Sequence, residues 1–322
     1  MSPLASIAEI VAGYEIRFGR YREDILLFGS PERTEYRVAF EDDSGKVFVF
    51  EEVAVSRLAK KRAIARTLTR LSETDPSLSV APYLRNRDGE HITELSGKFF
   101  QLVPYIDGVP LDRERYFSDD WRGGAAANFL LALRRASTSL RSDEFGPIPA
   151  PFLLRGYVDE LVGKIRRNDA AVLDGVRPVL THLERDFFPR EQTVPTAFCH
   201  GDYHPLNIVW SERGVAGVID WEFAGMKAGL YDVANMVGCL GMEDPDILKG
   251  GMVLSFLQTL RESDEFSRDD WSTFVDLLLA TRFAWLSEWL RFQERGLIAL
   301  EAEYMSLILE NRDFLQKLWN IA

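Results

Sequence analysis

The chain reads His200-Gly201-Asp202-Tyr203-His204-Pro205-Leu206-Asn207, and thirteen residues past that asparagine it reads Asp220-Trp221-Glu222. A carboxylate and an amide five positions apart stand on a segment whose Gly201 and Pro205 fix the backbone, so that both side chains can face one cleft. The second carboxylate, Asp220, ends the strand-like run Val215–Ile219. A hairpin turning at Glu212-Arg213-Gly214 would bring it back beside Asn207. Two oxygen ligands of this kind suit magnesium, which commonly takes one or two carboxylates together with substrate phosphates. Asp202 is left to accept a proton from an attacking hydroxyl.

Such a site needs elements to hold it. The first hundred residues carry short strand-like runs at Ile25–Phe28, Tyr36–Phe40 and Val47–Phe50, with the turn signal Asp42-Asp43-Ser44-Gly45 between two of them. A helix is predicted from about Val55 to Leu71, ending near Asp75-Pro76, and a strand pair around His91–Thr93 and Lys98–Val103 closes the sheet. Pro104-Tyr105-Ile106-Asp107-Gly108 then breaks regular structure and marks a domain junction, giving 1–103 and 104–322. Beyond it, residues 121–141, 151–188 and 245–320 carry helical periodicity, and strands return only around Thr196–Cys199, Ile208–Trp210 and Gly217–Ile219. A small sheet-rich part followed by a larger helical part is an α+β arrangement.

Composition narrows the function classes. A formal net charge of −12 argues against a nucleic-acid surface, which calls for clustered Lys and Arg, and is at ease with a cationic small substrate. No apolar run approaches the roughly 20 residues of a membrane span, and the first dozen residues, with Glu9, lack the features of a signal peptide. The expectation is a cytoplasmic protein without membrane attachment. Cys199 and Cys239 show no metal-ligand spacing and read as buried free thiols.

The run from His200 to Asn207 and the Asp220 that follows resemble the aminoglycoside phosphotransferase and choline kinase superfamily, a branch of the protein-kinase-like fold. The resemblance implies a small antiparallel-sheet N-lobe that binds nucleotide and a larger, mainly helical C-lobe. It implies Asp202 as base and Asn207 and Asp220 as magnesium ligands, with ATP as co-substrate. Gly229-Leu230-Tyr231-Asp232-Val233-Ala234 is similar to the family element whose Asp anchors the base-bearing loop from a helix start, so Asp232 is read as structural. Phe99–Gly108 resembles the strand and hinge that hold adenine through backbone groups. Pro104 has no N–H, so a donor must come from Tyr105 or Ile106. His200 is expected to brace the loop. His204 either supports it or meets substrate or phosphate. Glu222 either assists metal or a cationic substrate, or is a solvated loop charge. Phe283, Trp285, Trp289 and Phe292 read as core, part of which could line an acceptor pocket beside Glu288.

The sequence departs from the family pattern where a Lys on the third strand should hold the phosphates and pair with a Glu on the next helix. Val47-Phe48-Val49-Phe50-Glu51-Glu52 places Glu51 there, and the helix that follows carries Lys60, Lys61, Arg62, Arg66 and Arg70 with no Glu between Glu52 and Glu73. A charge-reversed pair of Glu51 with Arg62 or Arg66 would keep the bridge, and Arg66 or Arg62 would then reach the phosphates. In another register Lys46 would serve, and in a third reading Glu51 faces solvent. The phosphate loop, Phe28-Gly29-Ser30-Pro31-Glu32-Arg33, is thin, with the amides of Ser30 and Glu32 offered to phosphates. The expected activity is ATP- and magnesium-dependent transfer to a hydroxyl of a small polar molecule such as an amino alcohol, an aminoglycoside or a homoserine-like compound. The alternatives are a catalytically weakened binding or regulatory module and a protein Ser/Thr kinase.

Overall fold

The computed structural model describes residues 3–27, 36–140 and 151–321. Contacts divide the chain into two compact units, the smaller made of Met1–Gly108, Ser139–Pro147 and Ala216–Glu222, the larger of Val109–Thr138, Ile148–Val215 and Phe223–Ala322.

In the smaller unit helix α1 (Pro3–Ala12) precedes strands β1 (Phe18–Tyr21), β2 (Tyr36–Asp42) and β3 (Val47–Val53), helix α2 (Leu58–Thr74), and strands β4 (Thr93–Leu95) and β5 (Lys98–Pro104). The strands form one antiparallel sheet in the order β1-β2-β3-β5-β4. The β2–β3 turn is built by Asp42, whose Oδ1 accepts the Ser44 and Lys46 amides at 2.9 and 2.8 Å. Alternation sorts the central strand: Phe48 and Phe50, with Phe40, Phe100 and Leu102 from its neighbours, pack under Ile7, Ile10 and Val11 of α1. Val49 and Glu51 point to the opposite face, and Glu51 stands opposite Gln101. Helix α2 buries Ile64, Ala65, Leu68 and Leu71 along one stripe, and Lys61 lies on that stripe one turn before Ala65.

Two strand expectations are corrected. The run at Ile25–Phe28 is not a strand over its described residues Ile25–Leu27: the Ile25 amide closes a turn on the Arg22 carbonyl at 3.1 Å, and Leu26 is exposed. Phe28 lies outside the described residues, and the edge strand is instead Phe18–Tyr21. The strand expected at His91–Thr93 begins at Thr93, because Ser96 and Gly97 both take positive φ (54° and 78°) and make the two-residue hairpin turn that sets the register.

The larger unit contains helices α3 (Asp120–Ser137), α4 (Leu154–Asn168) and α5 (Ala170–Asp186), then the short strands β6 (Thr196–Cys199) and β7 (Ile208–Trp210). After β8 (Val215–Val218), most of which belongs to the smaller unit, come strand β9 (Gly225–Ala228) and helices α6 (Tyr231–Glu243), α7 (Gly251–Arg261), α8 (Arg268–Ser272), α9 (Phe274–Phe292), α10 (Arg295–Glu310) and α11 (Arg312–Leu318). Strand β9, which pairs antiparallel with β6, was not anticipated. Helix α3 lies so close to α7 that a Cβ at Gly123 would fall 2.8 Å from the Phe256 amide nitrogen. Between α9 and α10 the guanidinium of Arg282 forms two hydrogen bonds to Glu301, at 2.7 and 2.6 Å, with both residues almost wholly buried. No helix among the described residues is long and apolar enough to cross a membrane.

Candidate active site

In the larger unit the loop after β6 is fixed from below by Asp232, in the first turn of α6. Its carboxylate accepts the backbone N–H of His200 at 2.7 Å and that of Gly201 at 2.8 Å. Burial pushes the Asp232 carboxyl up to about 6, against the lowering effect of those two amides. Gly201 is required twice over: its φ is +84°, and a Cβ there would run into the Phe223 carbonyl and lie 2.7 Å from Lys227 Cε. His200 is fully buried, and its Nδ1 accepts the Asp202 backbone N–H at 3.2 Å. His200 and Asp232 thus each accept backbone N–H groups of this loop.

Asp202 and Asn207 meet directly. Asn207 Nδ2 donates to the Asp202 carbonyl oxygen at 2.8 Å and to its Oδ2 at 3.1 Å. With its N–H groups so engaged, the amide presents its oxygen on the other side as a hard donor. His204 Nε2 lies 3.7 Å from Asp202 Oδ1. Burial works against the charge on Asp202, but His204, the nearby His200 and the Asn207 amide outweigh it and hold the carboxyl below its ordinary value. The Asp202 side chain keeps about a fifth of its surface exposed, so an ionised oxygen remains reachable.

Beyond His204 stands an aromatic wall. The His204 ring meets Trp285 edge-on at 5.9 Å, Trp285 lies 5.5 Å from Trp289, and Trp285 Nε1 donates to Asn235 Oδ1 at 3.0 Å. Asn235 in turn donates to the Tyr203 carbonyl at 3.2 Å, which ties the wall to the Asp202 loop. Of the four aromatics expected as core, Phe283 is fully buried and Trp285 and Trp289 are half-buried. Phe292 is exposed, with the Arg291 guanidinium 3.9 Å above its ring. Cys199 is a buried free thiol as expected, whereas Cys239 is only half-buried.

In the smaller unit the Asp220 backbone takes φ +61°, a left-handed conformation that few non-glycine residues adopt. On its C-terminal side Trp221 is buried, with Nε1 on the Val218 carbonyl at 2.9 Å, and Glu222 is buried as well, while Asp220 is exposed. The turn thus presents the Asp220 carboxylate immediately before two buried residues. The hairpin turn before β8 is closed by the Ser211 amide on the Gly214 carbonyl at 2.9 Å.

Glu222 is not a solvated loop charge. Its Oε1 lies 2.7 Å from Lys61 Nζ, and Lys60 and Arg57 stand at 3.6 and 4.0 Å from Oε2. Lys61 also lies 3.5 Å from Glu51, whose carboxylate takes a further hydrogen bond from Gln101 Nε2. This corrects the expected partner of Glu51. The reversed pair exists, but its cation is Lys61, because the apolar stripe of α2 turns Lys61 toward the sheet and leaves Arg62 and Arg66 exposed. Glu51 is buried and does not face solvent, and Lys46 is exposed in the β2–β3 turn, over the Phe48 ring. At the end of β5 the Tyr105 amide is taken by the Val47 carbonyl at 3.0 Å, so of the two hinge donors the Ile106 N–H is the one without a partner among the described residues. Ser30 lies outside the described residues.

Residues 32–266 match the sequence model of the phosphotransferase enzyme family. The chain belongs to that family. Among curated proteins, this phosphotransferase-family chain is 27% identical over 156 residues to the homoserine kinase of Acidiphilium cryptum (strain JF-5). The match covers 47% of this chain and 45% of that protein, so it spans a little under half of the relative's length. A microcompartment-associated aminopropanol kinase superposes with TM-score 0.69 at 15% identity, over 97% of this chain and 98% of the other. An amicoumacin kinase, solved with AMP-PNP, Ca2+ and Ami, superposes with TM-score 0.67 at 13% identity, over 95% and 94%. The fold is the protein-kinase-like one that these phosphotransferases share.

Lys61 and Gln101 were not anticipated as the partners of Glu51, and the one available signal, for Lys61, was the helical phase of α2, which places it with Ala65 and Leu68.

Proposed function

We propose that this family member transfers the γ-phosphate of ATP to a hydroxyl of a small polar acceptor, with Asp202 as the base. The observation that carries the reading is the Asp202 carboxylate itself: ionised, partly exposed, and held by Asn207 at 3.1 Å with His204 alongside. A carboxylate so placed orients an acceptor hydroxyl and takes its proton as the oxygen attacks phosphorus. His200 and Asp232 keep its loop in register through backbone contacts.

The donor set fits a magnesium ion. Asn207 has its amide oxygen turned away from Asp202, Asp220 is an exposed carboxylate on a constrained turn, and oxygen donors of this kind are those magnesium takes alongside phosphates. Asn207 and Asp220 would hold the ion, which when bound neutralises charge on the transferred phosphoryl group. The Ile106 N–H and the Pro104 carbonyl are the adenine contacts in this reading. The acceptor class, an amino alcohol, an aminoglycoside or a homoserine-like compound, takes its support from the named activities of the relatives and from the half-buried Trp285–Trp289 wall beside His204.

The test is magnesium-dependent ATP consumption across amino alcohols, amino sugars and homoserine, with phosphorylated product identified by mass spectrometry. At least one acceptor is expected to give product with the wild-type chain and none with Asp202→Ala. ATP binding without product from any acceptor would instead favour a binding module, and no ATP binding at millimolar concentration would contradict the proposal.

A further inference from the structure

Where a lysine on the central strand would be expected to meet phosphates, this chain has the buried carboxylate of Glu51, facing Gln101 across the sheet. A bare carboxylate at such a place repels a polyphosphate. The cation that offsets it comes from the neighbouring helix. Lys61 Nζ is 3.5 Å from Glu51 and 2.7 Å from Glu222, and its side chain is only 7% exposed, which excludes the reading of a surface charge.

Three further observations bear on what Lys61 does. An ammonium has three N–H donors: Glu222 takes one at 2.7 Å, while both Glu51 oxygens stand at 3.5 Å, long contacts that a closer acceptor would displace. Burial works against its charge, but Tyr83, Glu51 and Glu222 together hold its proton more tightly than usual, so it is a permanent cation. Glu222 also stands two residues from Asp220, so the ammonium is tethered to the very turn that carries the exposed carboxylate. Arg62 and Arg66, on the far side of the helix, have no such placement.

The geometry points to Lys61 as the residue that contacts the nucleotide phosphates, supplied from helix α2 in a pair whose polarity is inverted between strand and helix. Glu51 then has the role of holding the helix lysine, and Glu222 couples it to the Asp220 turn. The inference rests on the proposed ATP-dependent reading. It adds that the phosphate grip resides in Lys61 and in neither Arg66 nor Lys46.

The test separates phosphate contact from mere helix placement by titrating the full-length chain with ATP and with adenosine in the presence of magnesium. Lys61→Met is expected to weaken ATP binding about tenfold or more while adenosine affinity changes less than about twofold. Arg66→Ala is expected to bind both as the wild type does. Because Lys61→Met leaves two buried carboxylates without their cation, the double variant Glu51→Gln/Lys61→Met is measured beside it, with thermal melting to confirm folding, and is expected to show the same ATP-specific loss. Equal weakening of ATP and adenosine, or unchanged ATP affinity in a folded Lys61 variant, would overturn the assignment. A wild-type chain that binds ATP no better than adenosine would overturn the nucleotide reading itself, and the assignment with it.

Discussion

The carboxylate of Asp232 accepts the backbone N–H of His200 at 2.7 Å, from the first turn of α6 to the first residue of the Asp202 loop. Its other oxygen takes the Gly201 amide at 2.8 Å. A helix N-terminal carboxylate thus satisfies one buried and one part-buried amide at once and fixes the loop whose next residue is Asp202.

That arrangement has a pH signature. Burial raises the Asp232 carboxyl from 3.8 to about 6, so the folded state holds this proton more tightly than the unfolded chain does. The stability it contributes is complete below the unfolded value and is lost as pH rises through about 6. Asp232→Asn does not titrate. Wild-type stability minus that of Asp232→Asn should therefore fall by on the order of 3 kcal/mol between about pH 4 and about pH 6.5. Urea unfolding across that range measures it, and a difference that is flat or grows with pH would count against the assignment.

At Asp220 the backbone and the side chain ask for different residues. A φ of +61° favours glycine, while the proposed chemistry needs a carboxylate. Asp220→Gly should be more stable than Asp220→Ala by about 1 kcal/mol, by chemical denaturation, since alanine alone bears the left-handed penalty. Both should lose magnesium-dependent turnover. An Asp220→Gly chain with full turnover would remove Asp220 from the site.

Arg282 and Glu301 form a buried pair that also receives the Trp289 indole N–H on Glu301 Oε2 at 3.0 Å. Removing one partner leaves a charge in the core. Glu301→Ala should cost about 3–5 kcal/mol, whereas Arg282→Met combined with Glu301→Leu should recover most of that loss. Equilibrium unfolding of the two variants checks it.

The inverted pair can be examined by exchanging its ends. Lys61→Glu sets a third carboxylate against Glu51 and Glu222 and should be strongly destabilising. Adding Glu51→Lys should recover part of the loss, with a coupling energy of about 1–3 kcal/mol in the double-mutant cycle. Strict additivity would mean that the two side chains do not interact.

What the sequence disclosed follows from how local the determinants are. Asp202 and Asn207 share a loop whose Gly201 and Pro205 restrict it, so their meeting could be read from spacing. β7 and the turn into β8 are equally local. The partner of Glu51 was not legible, because choosing Lys61 over Arg62 or Arg66 depends on which face of α2 packs on the sheet. The burial of Glu222 depends on that same distant helix. Ile25–Leu27 misled because an apolar run has strand composition whether or not a neighbouring strand is there to pair with it.

The most direct measurement is a single-turnover assay with ATP labelled on the γ-phosphate, magnesium and an accepted alcohol, comparing the wild type with Asp202→Asn. The asparagine keeps the shape of the side chain and removes the base. Label is expected to pass to the acceptor with the wild type, whereas Asp202→Asn is expected to bind ATP with similar affinity but to transfer label about 10²–10⁴-fold more slowly. Undiminished transfer by Asp202→Asn, or release of the label to water alone by the wild type, would contradict it.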